Sequence, residues 1–153
     1  MMAGRVEDLR AWQLTYKFKL AVYRIIDWPR REGSDVKLRD QLRESAASAV
    51  SQIEEGFARF YPKDFGRMAV GARASLKECC GHVRDAVDRG CISPDTQQEI
   101  DALARDALRE IVGLLDYLQS PEAERNARQI KERRAARRRT RRKREEEPGN
   151  QGD

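Results

Sequence analysis

The chain is poor in histidine, cysteine, aromatic residues and long apolar runs, and each shortage removes a class of protein. Its single histidine, His82, cannot build the two Glu-x-x-His pairs of a di-iron bundle, and Glu78-x-x-x-His82 is one residue off even for one pair. Three cysteines, Cys79, Cys80 and Cys91, are an odd number with two adjacent, which is no disulfide framework and points to the cytosol. A zinc site drawn through Cys79, His82 and Cys91 lacks a fourth ligand and the paired C-x-x-C spacing of structural zinc. Cys79 instead falls on an apolar stripe, where a free thiol packs as a small hydrophobe. No apolar run reaches the roughly 18 residues of a membrane span, and residues 1–10 lack the basic-then-apolar order of a secretory signal.

Catalytic patterns are equally scarce. Neither G-x-x-x-x-G-K-[ST] nor G-x-G-x-x-G occurs, so no phosphate cradle is expected. His82 beside Cys79 is the one arrangement in which a histidine stands near a nucleophile. Glu54 and Glu55, with Glu78 on the next helix, sketch a general acid/base pair, but solvated carboxylates paired with arginines account for them more simply. The expectation is a non-catalytic protein with no metal and no cofactor.

What the chain does have is helical periodicity and an uneven charge. Leu9, Trp12, Tyr16, Leu20 and Tyr23 form one stripe of a first helix spanning about 7–28, and Leu14, Phe18, Val22 and Ile25 form a second. Two stripes are more than one helical seam requires, and the surplus of Trp12, Tyr16, Phe18 and Tyr23 points either to a self-interface or partner or, equally, to a wider core contact. Pro29 stops this helix, Gly33 supplies a turn and Ser34 caps the next. The second helix, about 35–60, presents Leu38, Leu42, Ser45, Ala49, Ile53, Gly56 and Phe60. Several are small, which lets a neighbouring backbone approach.

Pro62 suits the first position of a third helix. There Phe65, Ala69, Ala72, Leu76, Cys79, Val83 and Ala86 repeat in strict 4-3 alternation, a period of about 3.5 residues. Gly90 suits the left-handed position after it. Ser93, Pro94 and Asp95 open a fourth helix carrying Ile100, Leu103, Ala107, Ile111, Leu114 and Leu118, broadened by Leu108 and Leu115. Short connections make neighbours antiparallel, so the expected fold is all-α: an up-down-up-down four-helix bundle over residues 1–120.

Residues 121–153 form a separate basic tail. They hold twelve Lys or Arg against seven Asp or Glu, whereas residues 1–120 hold nineteen of each sign, so the whole positive excess of +5 sits in the tail. Ser120, Pro121 and Glu122 repeat the grammar of a helix start, but the stretch beyond them holds almost no apolar residues, Ile130 being the exception. The tail is expected to be helical or disordered, with no core face of its own, and to order on a polyanion. Arginine outnumbers lysine ten to two, and guanidinium binds phosphate in a bidentate way that ammonium does not. The candidate phosphate contacts are Arg133, Arg134, Arg137, Arg138, Arg139, Arg141, Arg142, Lys143 and Arg144. Base readout is not expected, because no aromatic residue interleaves the run. The competing reading makes the tail a solubility device on a protein–protein scaffold that docks through the first helix.

Certain strings carry more than periodicity. Gln41-Leu42-Arg43, Ser48, Ile53-Glu54-Glu55-Gly56 and Arg59 resemble the signature of the 23S rRNA intervening-sequence protein family, small bacterial four-helix-bundle proteins. Residues 6–13, 72–78 and 90–92 resemble its opening, its third-helix motif and its third turn. The likeness covers about residues 5–119. Gln52-Ile53-Glu54-Glu55-Gly56 departs from the usual Asn-Ile-Ala-Glu-Gly, and Ala74 stands where glycine is frequent. The resemblance implies a homo-oligomer, a pentameric ring above all, and a link to RNA. It also implies kinship in fold with the accessory protein of diversity-generating retroelements, which partners a reverse transcriptase. In a ring, symmetry brings the tails together and multiplies their avidity.

Overall fold

A computed structural model describes residues 4–26 and 35–146, together with all of their side chains except those of Lys143, Arg144 and Glu146. Among these residues the chain is all-α, with five helices and no strand. They are α1 (Arg10–Ile25), α2 (Val36–Ala58), α3 (Pro62–Asp88), α4 (Pro94–Leu118) and α5 (Pro121–Glu146). No helix among them is long and apolar enough to cross a membrane.

The first helix starts later than its periodicity implies. Val6–Asp8 form a short 3-10 turn in which the Asp8 carboxylate accepts from the Arg5 N–H at 3.1 Å. Leu9 then stands in extended backbone, φ −75° and ψ 124°, before α1 begins. The expected end of this helix near Trp28, the stop at Pro29, the turn at Gly33 and the cap at Ser34 lie outside the described residues. Asp35 flanks α2 with a left-handed φ of 78°. Its carboxylate accepts from the Cys91 thiol at 3.1 Å and stands 3.6 Å from the Arg89 guanidinium, tying the start of α2 to the end of α3.

Local grammar explains most other boundaries. Pro62 opens α3, where its missing N–H costs nothing. At the other end Gly90 has φ 68°, and its N–H reaches the Val87 carbonyl while that of Cys91 reaches Ala86, both at 2.8 Å. This pair of bonds is a Schellman motif, which satisfies carbonyls the last turn would leave open. Ser93 caps α4 by accepting from the Thr96 N–H at 3.1 Å, ahead of Pro94.

Helix α1 packs on α2 and α4, and α3 packs on the same two, so the four share one core. The 4-3 stripe of α3 is buried in full, from Phe65 to Ala86. On α2 the buried stripe runs from Leu38 to Gly56, while Phe60 leaves it because the helix ends at Ala58 and Phe60 turns to φ 69°. Contacts between α2 and α3 fall at Leu42–Cys79, Ser48–Ser75 and Gly56–Phe65, so the two run antiparallel. At the middle of this seam the Gln52 amide donates to both Ser48 Oγ and Ser75 Oγ at 2.9 Å.

The two stripes of α1 exchange the importance their order suggests. The core is served by Phe18 and Val22, joined by Ala11 and Thr15, whose hydroxyl donates to the Ala11 carbonyl at 2.7 Å. Trp12, Tyr16 and Tyr23 are only half-buried and Leu20 is 38% exposed. Trp12 and Tyr16 stack at 4.7 Å, and Lys19 lies 4.1 Å over the Tyr16 ring. The Trp12 indole donates to Glu54 at 2.9 Å across to α2.

Candidate nucleic-acid interface

The tail begins as a docked helix. Ser120 caps α5 by accepting from the Ala123 N–H at 3.2 Å, with Pro121 first and Glu122 and Glu124 in the opening turn. Contrary to the expectation that the tail has no core face, Ala123 and Ala127 are buried. Small side chains escape a search for large apolar residues, yet they let α5 lie close against α3 and α4. The Asn126 amide donates to the Tyr117 hydroxyl at 3.1 Å and secures the same contact. Beneath this first turn lies an apolar cavity of about 310 Å³, lined among others by Leu9, Phe57, Phe60, Phe65 and Leu118.

One further contact sets the direction in which α5 leaves the body: the Arg134 guanidinium lies 4.7 Å over the Phe60 ring. From Lys131 to Arg142 every residue is exposed. The helix nevertheless continues to Glu146, because this stretch is mostly Arg, Lys, Glu and Ala, all strong helix formers. Thr140 bonds back to the Ala136 carbonyl at 3.1 Å, and Arg141 pairs with Glu145 at 2.8 Å.

The candidate cations fall into groups. Arg133, Arg137, Arg138 and Arg139 are exposed and make no ion pair among the described residues. Arg134 is engaged by Phe60 and Arg141 by Glu145. Arg142 is exposed on the same helix. Lys143 and Arg144 continue the helix, and their side chains lie outside the described ones.

Two clusters were not legible from the tail alone. Arg128 and Lys131 line a shelf with Lys63 and Tyr61, which is 50% exposed, where α5 departs from α3. On the body, Arg73 and Lys77 of α3 face Arg105 and Arg109 of α4 across a groove floored by Leu108 and Val112. Neutral net charge over residues 1–120 hides this local excess, which arises only when α3 and α4 are side by side.

The groups considered for chemistry are dispersed. Cys79 is buried, its thiol facing the Leu42 carbonyl, and burial pushes its pKa up to about 12; burial likewise pushes Cys80 up to about 11. Both therefore remain protonated, and poor nucleophiles, near neutrality. Glu54 is held by Trp12, Glu55 pairs with Arg59, and Glu78 stands 3.6 Å from His82. Among the described residues no cluster of three or more His, Cys, Asp or Glu is placed to hold a metal ion.

An all-helical body bearing an arginine-rich helical arm defines a class of small helical proteins with an appended basic segment. The chain belongs to the 23S rRNA-intervening sequence protein family, whose model matches residues 7–113. No curated protein matches it. The family match takes in α1 to α3 and most of α4, and α5 lies wholly beyond it.

Proposed function

We propose that this protein is a non-catalytic nucleic-acid-binding protein that works as a homo-oligomer and grips backbone phosphates with α5. In this reading α1 to α4 form an antiparallel up-down-up-down bundle in the cytoplasm, and a pentameric ring gathers the arms. The observation that carries it is the arm itself: the entire positive excess of the chain is concentrated in residues 121–153, and Lys131 to Arg142 are exposed along one helix. Such a surface binds polyanions by releasing their counterions, which is tight and largely sequence-independent. The groove of Arg73, Lys77, Arg105 and Arg109 adds a second basic track on the body. A reverse transcriptase is the protein partner to test first.

The deciding experiment measures binding of a labelled RNA and a DNA duplex by the full chain and by a truncation after Ile130. That cut retains Ala123 and Ala127 and so leaves the docked turns in place. If six to ten phosphates are engaged, affinity falls roughly 10³- to 10⁵-fold between about 50 and 200 mM salt, and truncation removes most of it. Binding that survives truncation assigns the site to the α3–α4 groove. No binding by either protein sinks the reading. A scaffold that docks a protein partner through the half-exposed ridge of α1 then takes its place, with the arm serving solubility.

A further inference from the structure

The arginine-rich run carries no ring of its own, since no aromatic residue follows Tyr117. The fold supplies one. Phe60 turns to φ 69° beyond the end of α2, and Tyr61 after it stands in extended backbone, φ −84° and ψ 129°, as a residue before proline prefers. The Tyr61 N–H donates to the Arg59 carbonyl at 2.8 Å, and its carbonyl accepts from the Phe65 N–H at 2.9 Å. The backbone that carries the ring is thus bonded on both sides, and the ring meets Phe60 edge-on at 5.7 Å. At 50% exposure, Tyr61 is the most exposed aromatic side chain among the described residues.

Tyr61 lines a cleft of about 610 Å³ at the root of the arm, between the start of α3 and α5. Lys63 lines it from α3, and Arg128 and Lys131 line it from α5, where a spacing of three residues puts them on one face. All three cations are exposed and make no ion pair among the described residues. Glu124 is the one carboxylate in the lining, so cations outnumber it. Cations alone hold the phosphates of any strand, single or paired. An open ring beside them adds a flat apolar surface, and only a base released from pairing can lie on it. A polyanion without bases gains nothing from Tyr61. The cleft also leads into the arm, because the fully exposed stretch of α5 begins at Lys131.

We infer that the cleft between α3 and α5 is a single-strand subsite, in which one unpaired base stacks on Tyr61 while Lys63, Arg128 and Lys131 hold the neighbouring phosphates. The strand continues from there along the arm. This inference rests on the phosphate-binding reading above and narrows it to nucleic acid that offers an unpaired base at this point. Stacking accepts every base, so the ring adds affinity without sequence readout.

The test uses the full chain and three probes at one salt concentration: an oligothymidine strand of about 12 nucleotides, a strand of equal length that is abasic throughout, and a DNA duplex of that length. The two single strands carry the same phosphates and differ in their bases. The natural chain is expected to bind the strand with bases roughly fivefold to 100-fold more tightly than the abasic one. Tyr61→Phe should keep that preference and Tyr61→Ala should abolish it, with duplex affinity unchanged in both and circular dichroism verifying the helices. Lys63→Gln combined with Arg128→Gln should weaken both single strands alike, because it removes phosphate contacts and leaves the ring. Equal binding of the two strands by the natural chain overturns the subsite and leaves phosphate binding by the arm intact. So does a preference for bases that survives Tyr61→Ala, or undiminished binding by the Lys63 and Arg128 double variant. Loss of duplex binding in Tyr61→Ala as large as the loss of strand binding shows the ring acting through the fold, and likewise overturns it. Absence of binding to every probe overturns both the subsite and the reading beneath it.

Discussion

The guanidinium of Arg134 sits 4.7 Å over the ring of Phe60, joining the basic arm to the α2–α3 turn. Phe60 holds a left-handed backbone, φ 69°, which costs a non-glycine residue about 1–2 kcal/mol. Its ring also meets Tyr61 edge-on at 5.7 Å. An exposed contact between a cation and a ring contributes about 0.5–1 kcal/mol. Replacing Arg134 by alanine should therefore leave the stability of the body within about 1 kcal/mol. It should speed amide exchange in α5 between Ala127 and Ala136 by roughly two- to fivefold. Hydrogen exchange read residue by residue checks this, and unchanged protection would mean that the ring does not steer the arm.

Close packing of α2 on α3 gives a second prediction. A Cβ added at Gly56 would strike the Phe65 ring and lie 3.0 Å from Met68 Cβ, whereas one added at Gly113 meets nothing within 4 Å. Overpacking a core contact costs about 1–3 kcal/mol, while alanine in an open helix position is better than glycine by about 1 kcal/mol. Gly56→Ala should thus lower the urea midpoint and Gly113→Ala should raise it, with the slope of the transition unchanged in both.

Much of this was legible from residue order alone. The Phe65 to Ala86 stripe, Pro62, Gly90 and the Ser93 cap act through neighbours a few positions away, so sequence spacing carries them. Two other features depend on which surfaces meet in space. Leu14, Phe18, Val22 and Ile25 looked like the supplement to Trp12, Tyr16, Leu20 and Tyr23, yet Phe18 and Val22 serve the core, because a helix shows its own faces but not where its neighbours stand. Ala123 and Ala127 were missed because methyl groups read as neutral until a neighbouring helix covers them. The anchor of Arg134 gave no signal, since Phe60 followed the spacing of the α2 stripe. The groove of Arg73, Lys77, Arg105 and Arg109 draws on two helices about thirty residues apart in sequence.

Cysteine ionisation gives a third prediction. Burial raises the Cys79 thiol from 9.0 to about 12 in the folded chain. A raised pKa means that the fold favours the protonated form, so its contribution is fully present below about pH 9 and is lost as pH rises toward 12. Comparison with Cys79→Ala in identical buffers cancels the other groups that titrate there. The stability advantage of the natural chain should shrink by about 1.4 kcal/mol per pH unit between pH 9 and 11. A constant difference would show that water reaches this thiol in the folded chain. Thiol reagents at pH 8 should accordingly label Cys79 and Cys80 slowly until denaturant is added.

The ridge on α1 tests assembly directly. Trp12 and Tyr16 stack, Lys19 covers Tyr16, Tyr23 is half-buried and Leu20 is 38% exposed, so the ridge lies beside the core rather than within it. Leu20→Glu places a charge at this surface without removing a core contact, so a lone chain should change in stability by no more than about 0.5 kcal/mol. At a self-interface the same charge would be desolvated and unpaired, costing several kcal/mol per copy. Sedimentation velocity should therefore find the natural chain at several times 17.6 kDa and Leu20→Glu near that single-chain mass, with equal helix content. A natural chain that sediments as one copy removes the oligomer from the proposed function. A variant that still assembles moves the interface off this ridge and leaves the aromatic surface to a different protein.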